Sequence, residues 1–270
     1  MDSPQATERL AFVVPRYGRE VYGGAELHCR WLAERLAATG SEVEVLTTCA
    51  LDYRTWADHY PPGVREENGV RVLRFPVRGP RDPAGFARLS HGVLAGREPY
   101  SRQVRWVIEQ GPDCPQLLQF LARHGGRYRW LIFYIYLYYP AFYGIRLTAD
   151  RALLMPAAHD EPPLGLAPLR PLFHLPRGLL YFSEEERNLV HERLGNAHVP
   201  HQVLGTGLDL DEPVAEGPFA ARHGIETPYL LYEPLGTGHI VAFTDDPNYR
   251  AMYPATQRLF LNAVLFGPGH

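Results

Sequence analysis

The sequence predicts an α/β protein: a Rossmann-like open, mostly parallel sheet with helices on both faces, followed by a short C-terminal αβ segment of different character. Three observations predict it. Leu10-Ala-Phe-Val-Val-Pro15 is a short continuous apolar run, the pattern of a strand buried on both faces of a parallel sheet. A glycine-bearing loop and an amphipathic helix follow it, and a second strand follows the helix. This strand-turn-helix alternation then recurs along most of the chain, as it does in doubly wound sheets.

The first loop contains Gly18, Gly23 and Gly24. In the helix after it, Ala25, Cys29, Leu32 and Leu36 fall at i, i+4, i+7 and i+11 and make one apolar stripe. Glu26 and Arg30, four apart, are expected on the opposite side, and Gly40 is expected to stop the helix. Glu42 to Thr48 reads as the second strand. Glu66-Glu67-Asn68-Gly69 is a tight-turn signal before the alternating strand Val70 to Phe75. Residues 78–99, rich in Pro, Gly and Arg, read as a surface loop. Two helices are expected at about 101–110 and 115–124. Strands are expected at Trp130–Tyr136, Ala152–Pro156 and Gly178–Phe182, with Tyr138-Tyr139-Pro140 as a corner after the first of them. Ser183 reads as an N-cap with Glu184, Glu185 and Glu186 in the first turn, and Ser183 with Glu186 fits a capping box. Tyr229 to Tyr232 reads as a strand opening a new unit, and a helical stretch is expected around Thr256 to Leu265. The predicted division is a domain over 1–227 and a C-terminal segment over 228–270.

Composition narrows the function. Of 270 residues, 46% are apolar and 21% charged, which excludes a disordered or fibrous chain. The 27 basic and 30 acidic residues leave a formal charge of −3, too balanced for a protein whose partner is bulk nucleic acid. Every basic residue is Arg. Without lysine there is no Schiff-base chemistry, no pyridoxal-phosphate attachment and no Walker-type phosphate loop. Cys29, Cys49 and Cys114 are isolated thiols, a count that fits a reducing compartment. The polar opening Met-Asp-Ser-Pro-Gln is not a signal peptide, and the longest apolar run, Trp130 to Gly144, is too short to span a bilayer. The expectation is a cytoplasmic protein with at most peripheral membrane contact.

Six segments in register carry a resemblance. They are Phe12-Val-Val-Pro-Arg-Tyr-Gly18, Val21-Tyr-Gly-Gly-Ala-Glu-Leu-His28 and Gly40-Ser-Glu-Val-Glu-Val-Leu-Thr47. With them go Pro156-Ala-Ala-His-Asp-Glu-Pro162, Phe182-Ser-Glu-Glu-Glu186 and Val203-Leu-Gly-Thr-Gly-Leu-Asp209. Over roughly residues 9–231 the chain resembles the N-terminal, acceptor-side half of a B-type-fold glycosyltransferase. More narrowly, it is similar to the retaining, nucleotide-sugar-dependent enzymes of the group 1, family 4 kind. The match breaks where the donor-binding domain would open, at Pro228 to Tyr232. From about 234 to 268 the text resembles instead the C-terminal end of a zinc carboxypeptidase-like protein, through Gly238 to Arg250 and Arg258 to Pro268.

The resemblance implies transfer of a sugar from a nucleotide diphosphate to a hydroxyl acceptor, a glycan or a lipid-linked one, with retention and without a metal. The nucleotide sugar would be a co-substrate, and no further cofactor is expected. Gly23 and Gly24 would sit near the donor diphosphate, helped by free N–H groups at the helix start, although the glycines also make an ordinary tight turn. Glu26 and Ser183 belong to the same expected donor and substrate site. Glu20 and Glu26 could alternatively meet acceptor hydroxyls, or serve only loop solubility and the helix dipole. His159 would hydrogen-bond the transferred sugar, and Asp160 would orient the ring or contact the acceptor. Both follow a strand end, where crevices of open α/β sheets lie. Tyr22, Tyr138 and Tyr139 are candidate acceptor contacts, since aromatic faces pack on sugar rings, although alternation buries half of any aromatic strand. Arg97, Arg102 and Arg105 could attract an anionic lipid or a phosphorylated acceptor, or merely stand where other proteins place surface lysines.

Competing chemistries fit worse. Gly18 to Gly23 has the phosphate-loop spacing, but Gly24-Ala25 stands where Lys-Ser/Thr is needed. No acidic residue ends the second strand, against a dinucleotide site. His223 with Glu226, and His198 with His201, have two-ligand metal spacings but no third ligand, so no metal site is expected. A non-catalytic glycan- or partner-binding module is the alternative. The apolar tail, with Phe243, Leu259, Phe260 and Leu265, is expected to dock on the sheet or to drive self-association, or a donor-domain subunit is expected as partner.

Overall fold

The computed structural model describes residues 9–205, together with the strands Leu230–Leu235 and Gly238–Phe243. The chain divides into two compact units, Met1–Thr206 and Gly207–His270. The expected boundary at 227, the helix around 256–265 and the apolar tail side chains lie outside the described residues.

In the first unit the buried apolar run forms β1 (Leu10–Val13), the glycine loop leads into α1 (Gly24–Ala38), and β2 (Val43–Thr48) returns parallel to β1. Antiparallel β3 (Gly63–Glu67) and β4 (Val70–Phe75) are joined across Asn68-Gly69. Both turn residues take positive φ, 51° and 77°, which the Asn-Gly pair tolerates and which suits the twist of a two-residue hairpin. The turn and β4 lie where the sequence predicts them. Strand β3 has no sequence signal, since its residues are mostly exposed and carry no alternation.

Residues 78–99 are not simply a loop. They hold α2 (Pro83–Leu94), with Pro83 in its first turn and the Asp82 carboxylate accepting from Ala84 N at 3.0 Å. Proline is tolerated there because its missing N–H would be unpaired in any helix start. Next come α3 (Tyr100–Gln110) and α4 (Pro115–His124), close to their expected limits. Strand β5 (Trp130–Tyr134) ends two residues earlier than expected, because Ile135 adopts φ 64°. The aromatic corner opens α5 (Tyr139–Leu147), a helix the sequence reading did not place. Then follow β6 (Ala152–Met155), β7 (Gly178–Tyr181), α6 (Glu184–Leu194) and β8 (His201–Val203).

The sheet runs β3-β4-β2-β1-β5-β6-β7-β8, parallel throughout except for the β3–β4 edge. It is an α/β Rossmann-like sheet. The central strands are almost wholly buried: Ala11, Phe12, Val45, Leu46, Leu131, Phe133, Leu154 and Leu179 all lie in one core. Chain order reverses between β1 and β5. The crevice outside their carboxyl ends is where ligands of such sheets bind. In the second unit, β9 (Leu230–Leu235) pairs antiparallel with β10 (Gly238–Phe243).

Candidate functional site

The loops at the carboxyl ends of β1, β5, β6 and β7 bring together most of the residues singled out in the sequence. The loop after β1 carries Arg16, Tyr22 and Gly23. Arg16 is almost fully buried and donates from Nε and Nη2 to Glu26 Oε1, at 3.0 and 2.5 Å, and from Nη1 to Leu51 O at 3.1 Å. Glu26 is buried in the first turn of α1, not on the outer face expected from its i, i+4 spacing with Arg30. The reason is tertiary: Arg16, ten residues earlier, turns inward and supplies the opposite charge that a buried carboxylate requires. Gly23 is what lets the two meet. A Cβ there would stand 2.3 Å from Glu26 Oε2 and 3.3 Å from Arg16 Nη2. The helix start at Gly23-Gly24 therefore faces a neutralised ion pair.

One turn further along α1, His28 reaches across the switch point. Its Nδ1 lies 3.0 Å from the Tyr134 hydroxyl at the end of β5, and its ring packs edge-on against Phe182, centroids 4.9 Å apart. Burial holds its pKa below the ordinary 6.5, while a hydrogen bond with the Gly205 backbone pulls the other way. His28 carries part of the resemblance, yet residue spacing gave it no role. The only local signal was its place within the first turns of the helix that opens the crevice.

Glu186 ties the next two loops together. One carboxylate oxygen accepts from Ala158 N and the other from Phe182 N, both at 2.7 Å, and the side chain is buried. Burial raises its pKa to about 7, against the lowering effect of those backbone donors. The expected capping box is thus half formed. Ser183 Oγ accepts from Glu186 N at 3.2 Å, but the Glu186 carboxylate goes to Phe182 and to the β6 loop rather than to Ser183 N. Ser183 is accordingly engaged as an N-cap.

His159 is half-buried on the β6 loop, next to the Ala158 amide that Glu186 holds, and its carbonyl accepts from Glu161 N. Asp160 is exposed and ion-paired with Arg193 from α6. Two residues here hold backbone conformations that side chains disfavour, Ile135 at φ 64° and Ala157 at φ 50°, at the ends of the adjacent strands β5 and β6. For a β-branched residue this is strained, and such strain clusters at functional sites.

The aromatic candidates separate. Tyr22 is 88% exposed at the tip of the first loop, whereas Tyr138 and Tyr139 are 8% and 7% exposed. Tyr138 packs edge-on to Trp56 and Tyr139 against Tyr143, because both enter the start of α5. They present no open ring face, so of the three only Tyr22 displays its ring to solvent. Glu20 is exposed, within 3.4 Å of the Tyr60 hydroxyl. Among the described residues no three His, Cys, Asp or Glu side chains gather as a metal site, and no helix is long and apolar enough to cross a membrane. His198 stacks on His174 and His201 packs edge-on to His191, so the two are drawn into different pairs. His223 and Glu226 lie outside the described residues.

No protein-family model and no curated protein matches the chain. Among solved structures, it is similar to an alpha,alpha-trehalose 6-phosphate synthase from Burkholderia multivorans, at 14% identity and a TM-score of 0.40, over 69% of this chain and 43% of that one. An alpha,alpha-trehalose-phosphate synthase (UDP-forming) from Burkholderia vietnamiensis gives 12% identity and a TM-score of 0.38, over 68% and 43%. The chain thus spans less than half the length of either. Likeness this loose leaves the function to be argued from the chain's own residues.

Proposed function

We propose that the chain is the acceptor-side half of a glycosyltransferase that moves a sugar from a nucleotide diphosphate to a hydroxyl acceptor. One observation carries the reading: segments scattered from residue 12 to residue 186 that share the glycosyltransferase resemblance come together at the carboxyl ends of β1, β6 and β7, flanking the switch point. In this reading, backbone N–H groups at the start of α1 stabilise the leaving diphosphate electrostatically. His159 hydrogen-bonds the transferred sugar and Asp160 orients it. Tyr22 contacts the acceptor, and Glu186 positions the His159 loop through Ala158 N. The nucleotide sugar is the co-substrate, and the remaining donor contacts come from a further domain or subunit.

The test is a thermal-shift titration of the chain with UDP, GDP and their common sugar conjugates. A ligand that binds only the folded state stabilises it by about 2.7 kcal/mol at a hundred times its dissociation constant. The expected result is a saturable rise with one nucleotide, reduced in His159→Ala for the sugar conjugate but not for the bare nucleotide. A flat response across the panel overturns the reading.

A second reading, a glycan- or partner-binding module without transfer activity, is favoured by one observation. The Glu26 carboxylate already neutralises Arg16 at the helix start where a diphosphate would lie. That reading expects no nucleotide response together with saturable binding of an oligosaccharide.

A further inference from the structure

We propose that the cleft between α2 and α3 is a second ligand site, which takes a small phosphate monoester. It lies within the first unit, beside the loop that follows β4, and has a volume of about 560 Å³, in the range of small-molecule pockets. Four guanidinium groups line it, those of Arg81, Arg88, Arg102 and Arg105, above an apolar floor that includes Trp56 and Leu89.

The charge balance decides what it would hold. The three acidic residues in the lining are already committed. Asp82 caps α2 through Ala84 N, Glu109 accepts from Arg105 Nε at 2.6 Å, and Asp113 pairs with Arg78 at 3.5 Å. Arg102 is paired with Glu98 at 3.3 Å. Two guanidinium groups, those of Arg81 and Arg88, have no ion-pair partner among the described residues, and with four guanidinium groups against three carboxylates the lining as a whole carries one net positive charge. Arg81 is held by neutral oxygens only: the carbonyls of Arg54, Tyr53 and Gln110, and the Gln110 side-chain amide. Burial lowers its pKa, with charged and phenolic neighbours pulling the other way. Arg88 projects from α2 without an ion-pair partner among the described residues.

A phosphate monoester carries about −1.5 to −2 charges near neutral pH, which suits a lining with a net positive charge and two guanidinium groups outside any ion pair. Its oxygens suit the planar donor fork of Arg88, which makes no hydrogen bond among the described residues, and an organic body would lie against the half-buried Ile108 in the lining. The floor itself depends on a close approach. At Gly111, φ is +74° and a Cβ would stand 2.9 Å from the Trp56 ring, so only glycine seats the indole beneath this cleft, where its Nε1 donates to Gln110 O at 2.7 Å. The inference does not rest on the glycosyltransferase reading, since none of these residues belongs to the crevice at the switch point.

Isothermal titration of the full chain with inorganic phosphate and with phenyl phosphate tests it. The expected result is saturable binding of both, tighter for phenyl phosphate and weakened by salt. Arg88→Gln should weaken it about tenfold, the loss of one charge-assisted contact. Arg123→Gln, on the exposed end of α4, should leave it unchanged. Absence of saturable heat up to millimolar phosphate overturns the proposal. So does equal weakening by Arg88→Gln and Arg123→Gln, which would mean diffuse attraction. Sedimentation with anionic phospholipid vesicles in the absence of any phosphate binding would also overturn it, in favour of a membrane surface. A flat nucleotide panel leaves this titration unaffected, so the two failures are distinguishable.

Discussion

Replacing Glu26 by alanine leaves the Arg16 guanidinium buried with one hydrogen bond, to Leu51 O, where it now makes three. Both side chains are almost closed to solvent, with 8% and 7% exposure, so water cannot take the place of the lost carboxylate. Breaking a buried pair from one side costs about 3–5 kcal/mol, because an uncompensated charge is left behind. Arg16→Met should cost less. The Glu26 carboxylate it strands sits in the first turn of α1, where the helix dipole favours an anion by about 0.3–1 kcal/mol and by up to about 2 when partly buried. The double variant Arg16→Met/Glu26→Leu removes both charges and should cost far less than the sum of Arg16→Met and Glu26→Leu made singly, giving a coupling of roughly 3 kcal/mol. Urea unfolding followed by tryptophan fluorescence and circular dichroism reads this directly. With a slope of about 2–3 kcal/mol per molar urea, the Glu26→Ala midpoint should fall by about 1–2 M. Single variants that cost under about 1 kcal/mol, or a double variant equal to their sum, would refute the view that this pair is buried and coupled.

Two further outcomes follow from the same physical chemistry. Glu186→Gln offers one acceptor and an N–H₂ group to two backbone donors held by two separate oxygens, and should cost about 1–3 kcal/mol at pH 5. The Glu186 pKa is raised to about 7 in the folded state, from an ordinary 4.5, so the fold binds this proton more tightly than the unfolded chain does. The group's contribution is therefore fully present below about pH 4.5 and declines as pH rises through 7. The gap between wild type and Glu186→Gln should narrow from pH 5 to pH 8, and a gap that widens would contradict the buried carboxylate. Gly195 closes α6 in the left-handed conformation, at φ 67°, with open space where a Cβ would stand. Gly195→Ala should therefore cost about 1 kcal/mol by backbone conformation alone, seen as a melting-temperature drop of a few degrees.

Features whose causes are local are legible in the sequence. The continuous apolar run at Leu10, the stripe on α1, the Asn68-Gly69 turn and the Ser183 cap are each set by neighbours a few residues away. Their positions therefore followed from spacing, and together they fixed the fold class. Two helices stayed hidden, α2 within a Pro-, Gly- and Arg-rich stretch and α5 behind a run of tyrosines entered through Pro140, because composition there masks the helical period. The side-chain environments around the switch point come from tertiary contacts. Glu26 is buried because Arg16 folds back onto it, and Glu186 leaves its capping box because a loop 28 residues away presents the Ala158 amide. Tyr138 and Tyr139 turn inward because the chain leaves β5 through a positive-φ residue and enters a helix. Their environments come from partners distant in the chain, and no periodicity records a charge or a donor that arrives from another strand end.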